Sequence, residues 1–402
     1  MAYDINTFLN ELSHYSQAGP GVTRLAFTKE SQEARNYICR VMEGVGLNVK
    51  TDIYGTIAGH LEGQRKESVI IGSHYDSVVH GGMYDGATGI AIGLAVAARF
   101  RKNGKMLPCS LDILATNDEE GVRLSNAFLS SKSMCSLLDV KTYKNAVTGE
   151  CLASCLDEGW YSQDGKGGDD LRLGGALKNA IQYIEPHIEQ GGILWENGER
   201  IGIVKHIVGL TRLYITIYGL GNHAGTTPME LRKDPMAAAG RVIGLIPDLA
   251  AGYKGAVATV GQVFVSPNVS NVIPQKVEFS VDIRSASDQD RNFLADQVKL
   301  LVAEESPIHF EIAQTLNEAA VPMNDRMVRA MEHICKAKGI PSRVMNSGAG
   351  HDAQLFGAFL DTVMLFVPSR YGISHSPEEY SRIEDMDLAA DVLEDYITNI
   401  KF

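Results

Sequence analysis

"SVIIGSHYDSVVHGGMYDGATGIAIGLAVAARF", residues 68–100, decides the fold. It opens on a short apolar run that ends in polar residues, which reads as a buried strand with chemistry at its carboxyl end. From Gly86 onward the residues are small and apolar, the pattern of a helix that packs closely on a sheet. "CSLDILATNDEE", 109–120, is a second buried strand, ending in carboxylates. Strand, helix and strand at this spacing predict α/β architecture with parallel strands and crossover helices. Open sheets of that kind place ligands at the carboxyl ends of their strands.

Working outward, residues 5–16 (Ile5, Phe8, Leu9, Leu12) and 31–45 carry helical apolar patterns. The pattern changes near residue 206. Strands are expected at 207–219, 255–265, 275–284 and 308–315, with helices at about 234–247 and 287–304. This predicts a compact α+β unit inserted into the first domain. "MVRAMEHICKAKG" (327–339, helix), "TVMLFVP" (362–368, buried strand) and "MDLAADVLEDYITNI" (386–400, helix) read as the return of that domain. The expected division is 1–205 plus 321–402 for a domain with a mixed, largely parallel sheet flanked by helices, and 206–320 for the insert. "YSQDGKGGDD", 161–170, reads as a surface loop.

At 402 residues the chain is long for one core, and 45% hydrophobic with 21% charged residues is a globular composition. A net charge of -12 argues against a nucleic-acid partner, although one local arginine can still hold a small anion. The start, "MAYDINTFLNELSHY", lacks a basic segment followed by an apolar run, and apolar stretches such as "GIAIGLAVAARF" are too short to span a bilayer. A cytoplasmic protein without membrane contact is expected. Cysteines 39, 109, 135, 151, 155 and 335 form no CxxC pair, so neither a thiolate zinc site nor a disulfide scaffold is expected.

Five polar stretches follow a strand or flank a glycine turn: "SHYDSVVHGGMYDG" (73–86), "TNDEEG" (116–121), "YIEPHIEQGG" (183–192), "SGAGHDAQLF" (347–356) and "YGISHSPEEY" (371–380). His74 and Asp85 can converge on one cation, and a carboxylate with two oxygens can bridge two. Adjacent Glu119 and Glu120 both reach a cleft only if the chain bends there; one can then bind metal while the other moves a proton. Asp118 reads as solvated or as a neighbour of the ligands. Singly, each stretch is also readable as structural; it is their coincidence that argues for a site. In "KVEFSVDIRS", Val277, Phe279, Val281 and Ile283 form one face, while Arg284 lies on the other with Asp282. There it offers a planar fork to a carboxylate or pairs with Asp282 at the surface.

"GSHYDSVVHGGMYDG", "EEG", "HIEQG", "HAGTTPM", "NVIP", "SGAGHDA" and "SHSPEE", in this order, resemble the N-carbamoyl-L-amino-acid amidohydrolase and allantoate amidohydrolase family, within the clan of dinuclear-metal aminoacylases and carboxypeptidases. The resemblance implies two divalent ions (Zn²⁺, Mn²⁺, Co²⁺ or Ni²⁺). His74 and His187 would hold one, Glu120 and His375 the other, and Asp85 would bridge them. It implies Glu119 as general base and His223 as the oxyanion donor. Gln190, Asn271, Arg284 and His351 would contact a small carboxylate-bearing substrate. The insert would act as a lid and join a homodimer. The implied reaction cleaves the ureido C–N bond of an N-carbamoyl-L-amino acid, with allantoate or ureidoglycolate as the alternative and an N-acyl aminoacylase or dipeptidase more remote. The peptidase branches usually carry an acidic ligand where His187 stands. A catalytically silent, metal-stabilised binding protein would need no base beside Glu120. Tyr75, Ser77, Pro186 and "VRLSNAFLSSK" depart from the family pattern; none removes an implied ligand.

Overall fold

A computed structural model describes residues 3–104, 107–162 and 167–401. The chain divides into two compact units, 1–205 with 323–402, and 206–322. The return to the first unit falls at Met323, whose amide donates to the carbonyl of Lys205 at 2.9 Å.

The first unit is built on a mixed sheet flanked by helices. From one edge its strands run Asn48–Thr51, Ile57–Leu61, Ser110–Thr116, Ser68–His74, Ala180–Ile188, Asp361–Val367 and Ile201–Ile207, with Ser342–Ser347 also on the last. The four central strands are mutually parallel, and the outer pairings with Ile57–Leu61 and Ile201–Ile207 are antiparallel. Every residue of Ser68–His74 and of Ser110–Thr116 is buried, as expected of strands covered on both sides. His74 pairs with Thr116 at the ends of these strands, so the parallel register delivers both polar stretches to the same edge.

The crossover helix is Ala87–Asn103. It packs as its small residues predict: a Cβ on Gly89 would stand 2.2 Å from the Pro186 carbonyl oxygen and 2.6 Å from Ser73 Cβ. The helix at the amino end is Ile5–Ser13, shorter than the apolar pattern, with Asp4 accepting the Thr7 amide as its cap. The next, Lys29–Val45, begins earlier than expected because the Thr28 hydroxyl accepts the Ser31 amide. Asp325–Ala337 and Ile383–Thr398 complete the unit.

The expectation of a surface loop at 161–170 holds at Ser162 and 168–170, which are exposed, and fails at Tyr161 and Gly167, which are buried; 163–166 lie outside the described residues. Tyr161 is buried, its hydroxyl bonded to the Phe27 amide, Ser31 and Asn117, and the Gly167 amide donates to Thr51. An aromatic body with a polar tip was read as loop because its partners lie far away in sequence.

The second unit is an antiparallel sheet, Val263–Ser266, Lys276–Ser285, Gly209–Tyr218 and His309–Glu318 in order, with Val257–Thr259 also on Lys276–Ser285. Helices Pro235–Ala251 and Asp288–Glu305 share its core with Val277, Phe279, Val281 and Ile283, the apolar face of the alternating strand. The single strand expected at 255–265 is two. Thr259 pairs with Asp282 but Val263 with Phe279, so three residues oppose two across a bulge. No helix among the described residues is long and apolar enough to cross a membrane.

Gly89→Ala should cost about 1–3 kcal/mol, because helix and sheet must part to admit one methyl group. A lower urea midpoint with unchanged slope is the expected reading; an unchanged midpoint would show that the approach is not tight.

Candidate metal centre

The site is assembled where the parallel strands end. His74 closes Ser68–His74, and His187 lies one residue before the end of Ala180–Ile188. Both are buried. The His187 Nδ1 donates to the Ile188 carbonyl at 2.9 Å and the His74 Nδ1 to the Asp76 carbonyl at 3.1 Å. A carbonyl only accepts, so each Nδ1 carries hydrogen and each Nε2 turns inward. The two Nε2 atoms lie 3.4 Å apart. Two lone pairs at that separation require a proton or a cation between them.

Asp85 faces this pair. Its Oδ1 is 3.2 Å from His187 Nε2 and 3.9 Å from His74 Nε2. Its Oδ2 is 3.1 Å from His375 Nε2, which is itself 3.3 Å from Glu120 Oε1. Burial opposes ionisation of Asp85, but the His375 hydrogen bond and the charges of the three histidines outweigh it and hold the carboxyl below its usual range. Asp85 thus serves two groups at once: with His74 and His187 through one oxygen, with Glu120 and His375 through the other. In each group the donor atoms lie within 4.8 Å of one another, as they do in a third group, His74, Glu119 and Glu120. Imidazole and carboxylate donors at this spacing fit a divalent transition metal.

The bend that brings both glutamates inward is built at Asp118, which has φ +58° just beyond strand Ser110–Thr116. Asp76 then accepts the Glu119 and Glu120 amides, one on each oxygen, at 3.1 Å. Glu119 is buried, and burial followed by the charges of Glu120 and Asp352 pushes its carboxyl well above the ordinary range. Asp118 is buried too, which overturns the solvated one of its two expected readings, and its carboxyl is raised by burial and by Asp76.

Gln190, in a left-handed conformation at φ +55°, places its Nε2 3.2–3.3 Å from both oxygens of Asp85 and 3.3 Å from His375 Nε2. His351 is buried with its ring edge-on to that of His187, centroids 4.6 Å apart. Its Nε2 is 2.9 Å from the Ser347 hydroxyl. Burial and the neighbouring His187 hold it well below the usual histidine range, and therefore neutral.

The other three expected residues lie in the second unit. Strands Asn222–His223 and Val272–Ile273 pair, and the Ala224 amide donates to the Asn271 carbonyl, so His223 and Asn271 sit side by side. His223 Nδ1 accepts the Gly225 and Thr226 amides at 3.0 and 3.2 Å, which leaves the hydrogen on Nε2 of an exposed side chain. Arg284 stands on the face opposite the core and bonds Asp282 at 2.8 Å; Asp282 also receives Arg212. Sequence reasoning did not single out Asp76 or Glu379. Asp76 carried a signal, the carboxylate two residues after His74. Glu379 lies four residues after His375, and only its distant partners reveal it.

A model of peptidase family M20/M25/M40 matches residues 57–399. An N-carbamoyl-L-amino acid amidohydrolase of Geobacillus stearothermophilus is 36% identical over 383 residues, covering 94% of this chain and 93% of that one. An allantoate amidohydrolase of Bacillus subtilis (strain 168) is 33% identical over 411 residues, covering 99% and 97%. The crystal structure of a hydantoinase/carbamoylase family amidase from Burkholderia multivorans superposes with a TM-score of 0.91 at 29% identity, covering 98% of this chain and 97% of that one.

His375 is raised to about 10 by its hydrogen bonds to Asp85 and then to Glu120. Its folded value lies above its unfolded one, so its contribution to stability is full below about pH 6.5 and is lost as pH rises through about 10. A cation held by His375 would compete with the proton for the same nitrogen, so its affinity should rise with pH over that window and fall on acidification. Titration calorimetry with Mn²⁺ near pH 7.5 should give a heat that varies with the ionisation enthalpy of the buffer, corresponding to release of about one proton or more. A buffer-independent heat would remove His375 from the cation's ligands.

Proposed function

The chain belongs to the M20/M25/M40 peptidase family and to its amidohydrolase branch, and from that premise we propose that it cleaves the ureido C–N bond of N-carbamoyl-L-amino acids. That it is a hydrolase acting on amide C–N bonds follows from the family itself, and the His, Asp and Glu cluster is consistent with metal dependence. The observation that supports a two-cation hydrolase is the shared carboxylate of Asp85, one oxygen toward His74 and His187, the other toward His375; the N-carbamoyl reading rests on the relatives of that name. We assign His74, His187 and Asp85 to one divalent cation and Asp85, Glu120 and His375 to a second. When bound, such cations polarise a carbonyl and lower the pKa of water from about 15.7 toward ~7.

The protein's own groups do the rest. Glu119, buried and free of the second group of ligands, accepts a proton from the attacking water and returns it to the leaving nitrogen. His223 donates from Nε2 to the oxygen on which negative charge develops, an effect worth about 3 kcal/mol for a well-placed donor. Breaking the C–N bond yields the amino acid and carbamic acid, which falls to CO₂ and ammonia. Arg284 and Asn271 recognise the substrate carboxylate, Gln190 the ureido group, and His351 holds the His187 ring. Arg284 already pairs with Asp282, so substrate binding exchanges one carboxylate partner for another. Allantoate is the second reading, supported equally by relatives of that name in Bacillus subtilis and Escherichia coli. It carries the same ureido and carboxylate chemistry. We further propose that the inserted unit joins a homodimer in the cytoplasm.

Glu119→Gln should lower turnover by about 10²–10⁴-fold while leaving cation uptake intact. Retained hydrolysis would show that the base lies elsewhere, and a silent binding protein would be indifferent to the change. Arg284→Ala should raise KM for carboxylate substrates by about 10-fold or more, the loss of a charge-assisted hydrogen bond, with little change in kcat. Equal KM values for N-carbamoyl acids and their amides in the parent enzyme would remove Arg284 from recognition. A panel of N-carbamoyl-L-amino acids, allantoate, ureidoglycolate and N-acetyl amino acids, assayed with Mn²⁺, Co²⁺, Ni²⁺ and Zn²⁺, discriminates between the readings.

A further inference from the structure

Asp85 sits on a loop and His375 on another, and both must be held at fixed separation for one carboxylate to serve two groups. The loop of Asp85 is bridged to Val22 at Gly81. Nearer Asp85 it is held by Glu379, a residue 5% exposed and distant in sequence. Its Oε1 accepts the backbone amides of both Tyr84 and Asp85 at 2.9 Å. Its Oε2 accepts the Ser374 hydroxyl at 3.2 Å, and that hydroxyl is also 3.4 Å from Asp85 Oδ2. The fit is close: a Cβ on Gly82 would stand 2.2 Å from Glu379 Oε1. The segment that carries Glu379 is itself pinned, its amide donating to Ser376 and the Tyr380 carbonyl accepting the Arg370 amide.

We propose that Glu379 is a positioning residue that clamps the Asp85 loop onto the His375 segment and thereby sets cation affinity at the Asp85, Glu120 and His375 position. It touches none of the proposed ligand atoms of His375 or Glu120; it acts through the backbone of Asp85 and the hydroxyl of Ser374. The His74 and His187 position is less dependent on it, because both rings stand at strand ends with their Nδ1 atoms bonded to main-chain carbonyls. Asp85 serves both cations, so the effect reaches both but is larger at the Asp85, Glu120 and His375 position, where the Ser374 arm also bears on Asp85 Oδ2; general destabilisation would give no such asymmetry. This inference rests on the two-cation reading above.

The test is calorimetric titration of the full, chelator-stripped chain with Mn²⁺. The parent should take up two ions. Glu379→Ala should weaken one of them by about 10–100-fold, the usual consequence of losing a group that orients a ligand, and leave the other within about threefold. Glu379→Gln keeps an acceptor oxygen for the two amides and should restore most of the loss. Unchanged affinity for both ions in Glu379→Ala, equal loss of both, or no recovery in Glu379→Gln would each overturn the assignment. Should Glu379→Ala not fold, Ser374→Ala severs the side-chain arm of the clamp alone and should weaken the same ion by a smaller factor; no weakening would overturn it. A parent that takes up fewer than two ions defeats the two-cation reading itself, a result distinguishable from failure of the variants.

Discussion

One buried carboxylate organises the first unit. Asp85 presents Oδ1 to two imidazoles that arrive on parallel strands and Oδ2 to a third that arrives on a loop. Three nitrogens and the neighbouring carboxylates of Glu119 and Glu120 could not crowd together in a low-dielectric interior without compensation. The compensation is visible around them: main-chain carbonyls take the outer nitrogens of His74 and His187, and main-chain amides are taken up by Asp76 and Glu379. These orienting bonds restrict where each side chain can point, which is what a centre of fixed geometry requires.

The sheet explains why those residues meet. Parallel register aligns His74 with Thr116, just before the bend at Asp118, and sets His187 against Phe366 on the strand that leads toward His375. Tight packing of the crossover helix, enforced at Gly89, keeps that edge narrow. Several residues at the edge adopt left-handed backbone conformations, among them Asp118, Gln190, Tyr371 and His375. Such conformations cost about 1–3 kcal/mol each and persist where the surroundings over-determine them. Their concentration around the centre accords with a site whose geometry is held against local preference.

The second unit is organised differently. Its sheet is antiparallel, one face buried under two helices, and its candidate recognition groups lie away from that core. His223 pairs with Val272 in a two-residue ladder that Asn271 adjoins, and the tautomer of His223 is set by two amides of its own turn. Of the two readings open for Arg284, the pairing with Asp282 is the one present; recognition of a substrate carboxylate is our proposal, from the chemistry of a planar cation.

Much of this was legible in the order of residues. The apolar runs at 68–71 and 110–115, the small residues of 87–98 and the alternation of 276–285 mark their elements, because period and burial are local properties of a chain. The insert was legible for the same reason, as a change of pattern near residue 206. That polar loops bearing histidine and carboxylate would cluster was legible because they stand beside glycine turns and strand ends, whereas the division of those residues into candidate donor groups came from the family resemblance. What the sequence could not decide was everything that depends on distant partners. Tyr161 is a core residue because Phe27, Ser31 and Asn117 surround its hydroxyl, and Asp118 is buried because the chain reverses over it. Nothing in the sequence singles out Glu379; the fold brings its carboxylate to the backbone amides of the Asp85 loop. The sequence by itself determined which side chains were available and which faces would be buried. The tertiary structure alone decided which oxygen faces which nitrogen, because hydrogen-bond partners hundreds of residues apart are chosen by packing and not by spacing.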